Sequence, residues 1–167
     1  MQLILHYIYL YLDTYVEQQY PDEWDKFTTS LEDMDIDLIQ GNWNRHSFLG
    51  VELMGKTLGI IGLGRIGLEV AHRAFSFGMK VFGYDPYVNE NVLKEKNIVA
   101  IDLDQLTRES DFITLHVPLV ESTKYLFDYN RFSMMKKTSR IINVARGGLI
   151  NETDLAKALN DNIISGA

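Results

Sequence analysis

A short apolar strand that runs directly into three spaced glycines constrains this chain more than any other feature. The segment 57–61, TLGII, has the apolar character of a parallel strand that is buried on both faces. Gly62 permits a sharp turn, Gly64 lets another molecule approach the backbone, and Gly67 lets a new helix pack against the strand. The N–H groups at the start of that helix attract phosphate. The run therefore predicts a strand–turn–helix unit that binds a dinucleotide.

The sequence after the glycines supplies the other parts of such a unit. Apolar residues at helical spacing predict a helix with one face on the sheet; they are Ile66, Val70, Ala74 and Phe77. A second strand is predicted at 80–84, and Asp85 follows it, eighteen residues after the last glycine. A carboxylate there can accept hydrogen bonds from ribose hydroxyls and would repel a 2′-phosphate, which favours NAD over NADP.

Strands and helices alternate along the rest of the chain. Helices are predicted at 90–96, at 102–109 with Asp102 as cap and Gln105 reaching back to it, and at 151–159 with Asn151 as cap. Strands are predicted at 98–100, 111–116 and 140–143, with the start of a sixth at 163–167. This order predicts an α/β fold, a Rossmann-type doubly wound parallel sheet in three αβα layers.

Composition and charge exclude several other classes of protein. A chain of 167 residues holds one core, or a core and an appendage. It has no cysteine, and its net charge of −7 argues against a nucleic-acid surface. The acidic residues between Glu32 and Asp37 lack a glycine-bearing ligand loop, so we expect a solvated face and no metal site.

The first apolar stretch, residues 3–12, is too short to span a bilayer and contains His6. No basic segment precedes it as in a signal peptide, so we expect a cytoplasmic protein without membrane contact.

Several separated blocks resemble the NAD-binding domain of the D-isomer-specific 2-hydroxyacid dehydrogenases. The blocks are 55–67, 77–80, 83–86, 111–119 and 141–152, and the resemblance extends from about Gly41 to Ala167. It implies an oxidoreductase that transfers hydride between NAD(H) and a small 2-hydroxy or 2-oxo acid, with 3-phosphoglycerate among the candidates. The family's substrate domain has no recognisable counterpart in this sequence.

The resemblance also assigns roles to individual residues. The expected cofactor-binding residues are Gly62, Gly64, Arg65, Ile66, Gly67, Asp85, His116, Val117, Pro118, Thr123, Val144, Ala145 and Arg146. Arg146 is in addition the candidate catalytic residue, because its planar guanidinium can hold the carboxylate or carbonyl oxygen of a 2-oxo acid. The structural alternative is that Arg146 pairs with a nearby carboxylate.

In the family, a histidine further along the chain moves the proton, and a glutamate orients that histidine. The sequence ends at Ala167, before either residue, so we expect residues 1–167 alone to turn over 2-oxo acids poorly. His116 is expected to line the cofactor site, whereas His6, His46 and His72 are expected to be ordinary surface or partly buried residues.

Residues 1–40 are predicted to form an N-terminal helical extension to the NAD-binding domain at 41–167. Apolar residues at helical spacing in the segment 1–20 predict a helix that needs a partner. The family's coenzyme domains pair through this region, which implies a homodimer. Residues 21–39 have no assigned structure. The alternative function is a non-catalytic NAD-binding or dimerising module, as in the family's corepressor branch.

Overall fold

The computed structural model of the protein describes residues 50–167. The predictions for the helix at 1–20, the acidic residues at 32–37, His6 and His46 lie outside the described residues. Between residues 50 and 167, no helix is long and apolar enough to cross a membrane.

The described residues contain a parallel sheet of five strands. The strands are β1 (Thr57–Ile61), β2 (Lys80–Tyr84), β3 (Val99–Ala100), β4 (Phe112–Leu115) and β5 (Arg140–Asn143). They lie in the order β3-β2-β1-β4-β5. Successive strands are added on one side of β1 and then on the other, so the topological switch point lies between β1 and β4. The predicted Rossmann-type fold is confirmed.

Five helices connect or follow these strands within residues 50–167. They are α1 (Arg65–Ser76), α2 (Glu90–Glu95), α3 (Leu103–Glu109), α4 (Tyr129–Met134) and α5 (Glu152–Asn160). The last four begin at Asn89, Asp102, Asp128 and Asn151, each of which accepts a hydrogen bond from a backbone N–H of the first turn. In contrast, α1 begins at Gly64 with no side-chain cap. No side chain of the described residues therefore competes with a ligand for the N–H groups at its start.

Apolar residues of β1 alternate between two cores on opposite faces of the sheet. Ile60 packs with Ala71 and Ala74 of α1. Its neighbour Ile61 packs in a second core with Leu106 of α3. Helices thus cover both faces, and the predicted arrangement of three αβα layers is confirmed.

The buried face of α1 matches the prediction only in part, since Ala74 is buried and Val70 packs against the same core. Gly67, Ala71 and Ala74 are its buried residues. The predicted contacts Ile66 and Phe77 are instead 69% and 39% exposed. A Cβ at Gly67 would collide with the carbonyl oxygen of Gly62, so the helix lies close to the strand and only small side chains fit between them.

One predicted cap forms only in part. The carboxylate of Asp102 accepts a hydrogen bond from the N–H of Gln105 at 2.8 Å. The Gln105 side chain does not reach back but donates to Glu109 at 2.9 Å. Residues four apart lie one turn apart on a helix, which places these two exposed side chains together.

The predicted sixth strand at 163–167 does not form. It is represented by one parallel bridge, between Arg140 and Gly166. Asn162, with φ of 54°, follows α5 in the left-handed conformation and turns the chain towards β5. The N–H of Ile141 then donates to the carbonyl of Gly166 at 3.1 Å.

Candidate functional site

The last residues of four strands lie in one row across the sheet. The paired residues, from β2 through β1 and β4 to β5, are Tyr84, Ile61, Leu115 and Asn143. The residues that begin the four loops beyond this row are Asp85, Gly62, His116 and Val144, in that order along the edge. Neighbouring strands lie about 4.8 Å apart, so the row is about 14 Å long. Candidate residues from four distant parts of the sequence thus meet at the carboxyl edge of the sheet.

Glycine is needed for different reasons at the two ends of the first turn. Gly62 has φ of 92°, and a Cβ there would lie 2.6 Å from the carbonyl oxygen of His116 and 2.8 Å from Cγ1 of Val117. Contact with the loop after β4 therefore requires this glycine. Within residues 50–167, a Cβ at Gly64 would have no atom of another part of the chain within 4 Å. The described part of the chain thus leaves the space over Gly64 open to another molecule.

Asp85 holds the glycine turn through its carboxylate. Oδ2 accepts a hydrogen bond from the N–H of Leu63 at 2.8 Å. Oδ1 accepts one from the N–H of Tyr87 at 2.9 Å. A carboxylate oxygen has a second lone pair, so each can also accept a hydrogen bond from a sugar hydroxyl. The sequence placed Asp85 at this edge but did not reveal its bond to the turn.

His116 is half-buried beside the same turn. Its Nε2 lies 3.0 Å from the hydroxyl of Thr114, which is on the same face of the sheet two residues earlier. Burial lowers the pKa of His116 below its ordinary value, because the charged imidazolium loses solvation. The imidazole is therefore neutral at neutral pH. This environment accords with a residue that lines a binding site.

An open groove of about 790 Å³ lies along the start of α1. Its lining residues are Gly64, Arg65, Ile66, Gly67, Glu69, Val70, Arg73 and His116. The groove thus brings together five of the predicted cofactor-binding residues. Ile66 is 69% exposed here, so its side chain is available to a ligand.

Thr123 shapes the loop after β4. Its hydroxyl accepts a hydrogen bond from the N–H of Val120 at 2.8 Å and donates one to the carbonyl of Pro118 at 2.6 Å. Both hydrogen bonds stay within this loop. The contact of Thr123 with a cofactor stays a prediction.

The loops after β4 and β5 are joined by backbone hydrogen bonds. The N–H of Tyr125 donates to the carbonyl of Gly148 at 2.7 Å, and the N–H of Phe127 donates to that of Leu149 at 3.2 Å. Tyr125 has φ of 50°, an unusual conformation for a bulky residue. The loop that carries Pro118 and Thr123 is therefore tied to the loop that follows Arg146.

Arg146 lies exposed just beyond β5. Its Nη1 donates to the carbonyl of Ala145 at 2.6 Å. Between residues 50 and 167, no carboxylate forms an ion pair with it, so the structural alternative is not realised within that range. Val144, two residues earlier, is 70% exposed. An exposed guanidinium and an exposed apolar side chain thus flank the end of β5.

Two polar residues near the site escaped the sequence reasoning. Thr114 lies under His116, and Asn143 makes hydrogen bonds to Ala145 and Arg146. The local signal that could have identified them is their polar character within, or at the end of, an otherwise apolar strand close to a predicted site residue.

Comparisons with known proteins agree with this geometry. The family model for the D-isomer specific 2-hydroxyacid dehydrogenase, NAD binding domain, matches residues 26–167. The chain is 47% identical over 131 residues to D-3-phosphoglycerate dehydrogenase of Methanocaldococcus jannaschii, which is 78% of this chain and 25% of that protein. It is also 47% identical over 131 residues to hydroxypyruvate reductase of Thermotoga maritima, which is 78% of this chain and 40% of that protein.

A solved structure shows the same fold. The D-lactate dehydrogenase of Aquifex aeolicus, complexed with NAD and lactic acid, superposes with a TM-score of 0.74 and 39% identity. The match covers 81% of this chain and 41% of the enzyme. The chain therefore spans between a quarter and two fifths of the length of these relatives.

Proposed function

Because the chain belongs to the D-isomer-specific 2-hydroxyacid dehydrogenase family, we propose that it binds NAD along the carboxyl edge of its sheet. The row of four strand ends carries this proposal, since it lines up the predicted cofactor-binding loops beside the switch point. The uncapped start of α1 and the open space over Gly64 fit a pyrophosphate.

The order of residues along the edge suggests the orientation of the cofactor. Asp85 stands at the β2 end, where it would receive the hydroxyls of the adenosine ribose. Gly62 and Gly64 follow, at the pyrophosphate. Val144 and Arg146 stand at the β5 end and would face the nicotinamide, with His116 between the two halves.

In the whole protein, we propose an oxidoreductase that transfers hydride between NAD(H) and a small 2-hydroxy or 2-oxo acid. Bound NADH would supply the hydride. Arg146 is exposed at the nicotinamide end, where its planar fork would hold the substrate carboxylate or carbonyl oxygen. A fixed positive charge at that point orients the acid and stabilises charge that develops on the oxygen. 3-Phosphoglycerate is one candidate substrate.

Fluorescence titration of the ligand-free chain with NADH and NADPH tests the proposal. We expect NADH to bind at least about tenfold more tightly, a difference of about 1.4 kcal/mol, because the carboxylate of Asp85 would repel the extra phosphate. Failure to bind NADH would refute the proposal. Equal affinities for NADH and NADPH would contradict only the proposed role of Asp85 in rejecting the extra phosphate.

Four further statements stay predictions. They are a homodimer formed through residues 1–20, a cytoplasmic location, poor turnover by residues 1–167 alone, and the alternative of a non-catalytic module. Light scattering of the chain with and without residues 1–20 tests the first, and a monomer in both cases would contradict it.

A further inference from the structure

Asn143 closes the turn that carries Arg146. It is the last residue of β5, and its amide group faces the three residues that follow. Nδ2 donates a hydrogen bond to the carbonyl of Arg146 at 2.9 Å. Oδ1 accepts one from the N–H of Ala145 at 3.2 Å. Both halves of one amide are thus used on a single short turn.

The backbone of the turn has few other hydrogen bonds. Within the described part of the chain, the backbone of residues 144–147 makes no hydrogen bond to another backbone group. The next fixed point is the carbonyl of Gly148, which is bonded to Tyr125. The side chains of Val144 and Arg146 are both exposed. Ala145 packs against the core, and the Arg146 guanidinium donates to the carbonyl of Ala145. The two hydrogen bonds of Asn143 are the ones that join the backbone of this turn to the end of β5.

We propose that Asn143 is a positioning residue for the nicotinamide end of the site. This inference rests on the proposed function, in which Val144 and Arg146 face the nicotinamide. Asn143 itself touches neither ligand in this scheme, but it holds the turn in the shape that presents both side chains. Ala at this position would remove both hydrogen bonds, and Asp would keep only the one from Ala145.

The test compares NADH with ADP-ribose, which has the adenosine and pyrophosphate but no nicotinamide. For Asn143→Ala we expect about tenfold weaker binding of NADH, the effect of one to two lost hydrogen bonds. ADP-ribose binding should stay within about twofold, because the glycine turn and Asp85 are unchanged. Asn143→Asp should lie between the wild type and Asn143→Ala. Asn160→Ala, an exposed residue at the end of α5, is the control and should change neither affinity.

Hydrogen exchange of the ligand-free chain provides a second measurement. The Ala145 N–H should exchange faster in Asn143→Ala and stay protected in Asn143→Asp, which retains the acceptor. The Ile141 N–H, bonded to Gly166, should be unaffected in both.

The outcomes separate this inference from the proposed function. If Asn143→Ala loses affinity for NADH and for ADP-ribose by the same factor, Asn143 has a general structural role and the inference is overturned. Unchanged NADH affinity in Asn143→Ala, with the wild type binding normally, would also overturn it. If the wild type binds neither ligand, the proposed function fails and the inference fails with it.

Discussion

Replacing Asp85 with Ala should destabilise the ligand-free protein as well as weaken its binding of cofactor. The carboxylate accepts a hydrogen bond from the N–H of Leu63, a residue that is only 2% exposed. A hydrogen bond to a charged group contributes about 1.5–3 kcal/mol. The second bond is to Tyr87, which is 93% exposed, so water can replace it at little cost. We therefore expect the free energy of unfolding to fall by about 2 kcal/mol.

Urea unfolding of the ligand-free chain measures this loss. Glu69→Ala is the matched control, because it removes a carboxylate whose exposed ion pair with Arg73 is worth less than about 1 kcal/mol. If Asp85→Ala is no less stable than Glu69→Ala, the carboxylate of Asp85 does not support the turn and the reasoning is refuted.

The same bond affects how cofactor selectivity should be measured. Loss of the support at Leu63 would weaken the binding of NADH and NADPH alike, since both would place a pyrophosphate on the turn in the proposed binding mode. The ratio of the two affinities cancels this shared loss. In Asp85→Ala the ratio should approach one, which isolates the contribution of the carboxylate at the ribose.

Three other substitutions test particular contacts by urea unfolding. Gly67→Ala should lower the free energy of unfolding by at least about 2 kcal/mol, because the new Cβ collides with the carbonyl of Gly62. Tyr125→Asn should raise it by about 0.5–1 kcal/mol, because asparagine adopts a φ of 50° more readily than tyrosine. His116→Gln should reduce the loss of stability on acidification. Burial lowers the pKa of His116 from 6.5, so the unfolded chain binds the proton more readily, and stability is lost as the pH falls from 6.5 towards the folded pKa.

Each of these three has a clear contrary result. An unchanged free energy of unfolding in Gly67→Ala would mean that the helix can move away from the strand. Gly64→Ala, where a Cβ meets no atom of residues 50–167 within 4 Å, is its control. A lower free energy of unfolding in Tyr125→Asn would show that contacts of the tyrosine ring stabilise the fold by more than its backbone conformation destabilises it. Parallel pH profiles of the wild type and His116→Gln would contradict the assigned burial effect.

The elements with strong periodicity or clear end signals could be predicted from the sequence. The apolar run before the glycines predicted β1, and β5 has the predicted bounds of 140–143. Asn151 and Asp102 marked the starts of α5 and α3 as caps. These signals lie within a few consecutive residues, so they can be recognised without knowledge of the fold.

α4, Tyr129–Met134, was missed, although α2 has the same length of six residues and was predicted. The six residues of α4 carry no two-turn apolar pattern, and Phe132 is its one fully buried member. Asp128, which accepts a hydrogen bond from the N–H of Arg131, was the available local signal. The predicted face of α1 was wrong only at Ile66 and Phe77, which are exposed. Close packing at Gly67 leaves room for small side chains alone between the helix and the strand.

The candidate site was predicted as a set of residues but not as a set of contacts. Sequence pattern placed Asp85 near the site, and the resemblance to the family placed Thr123 there. Their partners Leu63 and Pro118 depend on where loops meet after folding. The hydrogen bonds of Asn143 were missed for the same reason, although it directly precedes three predicted residues.

The affinity of Gly64→Ala for NADH tests most directly whether a pyrophosphate lies against the glycine turn. Gly64 has φ of −70°, and a Cβ there meets no atom of the described residues within 4 Å. The folded chain should therefore tolerate alanine, with a free energy of unfolding unchanged or raised by up to about 1 kcal/mol. NADH binding should fall at least about tenfold, because the new methyl group would occupy the space proposed for the phosphates. A stable Gly64→Ala chain that binds NADH as tightly as the wild type would contradict this placement of the cofactor.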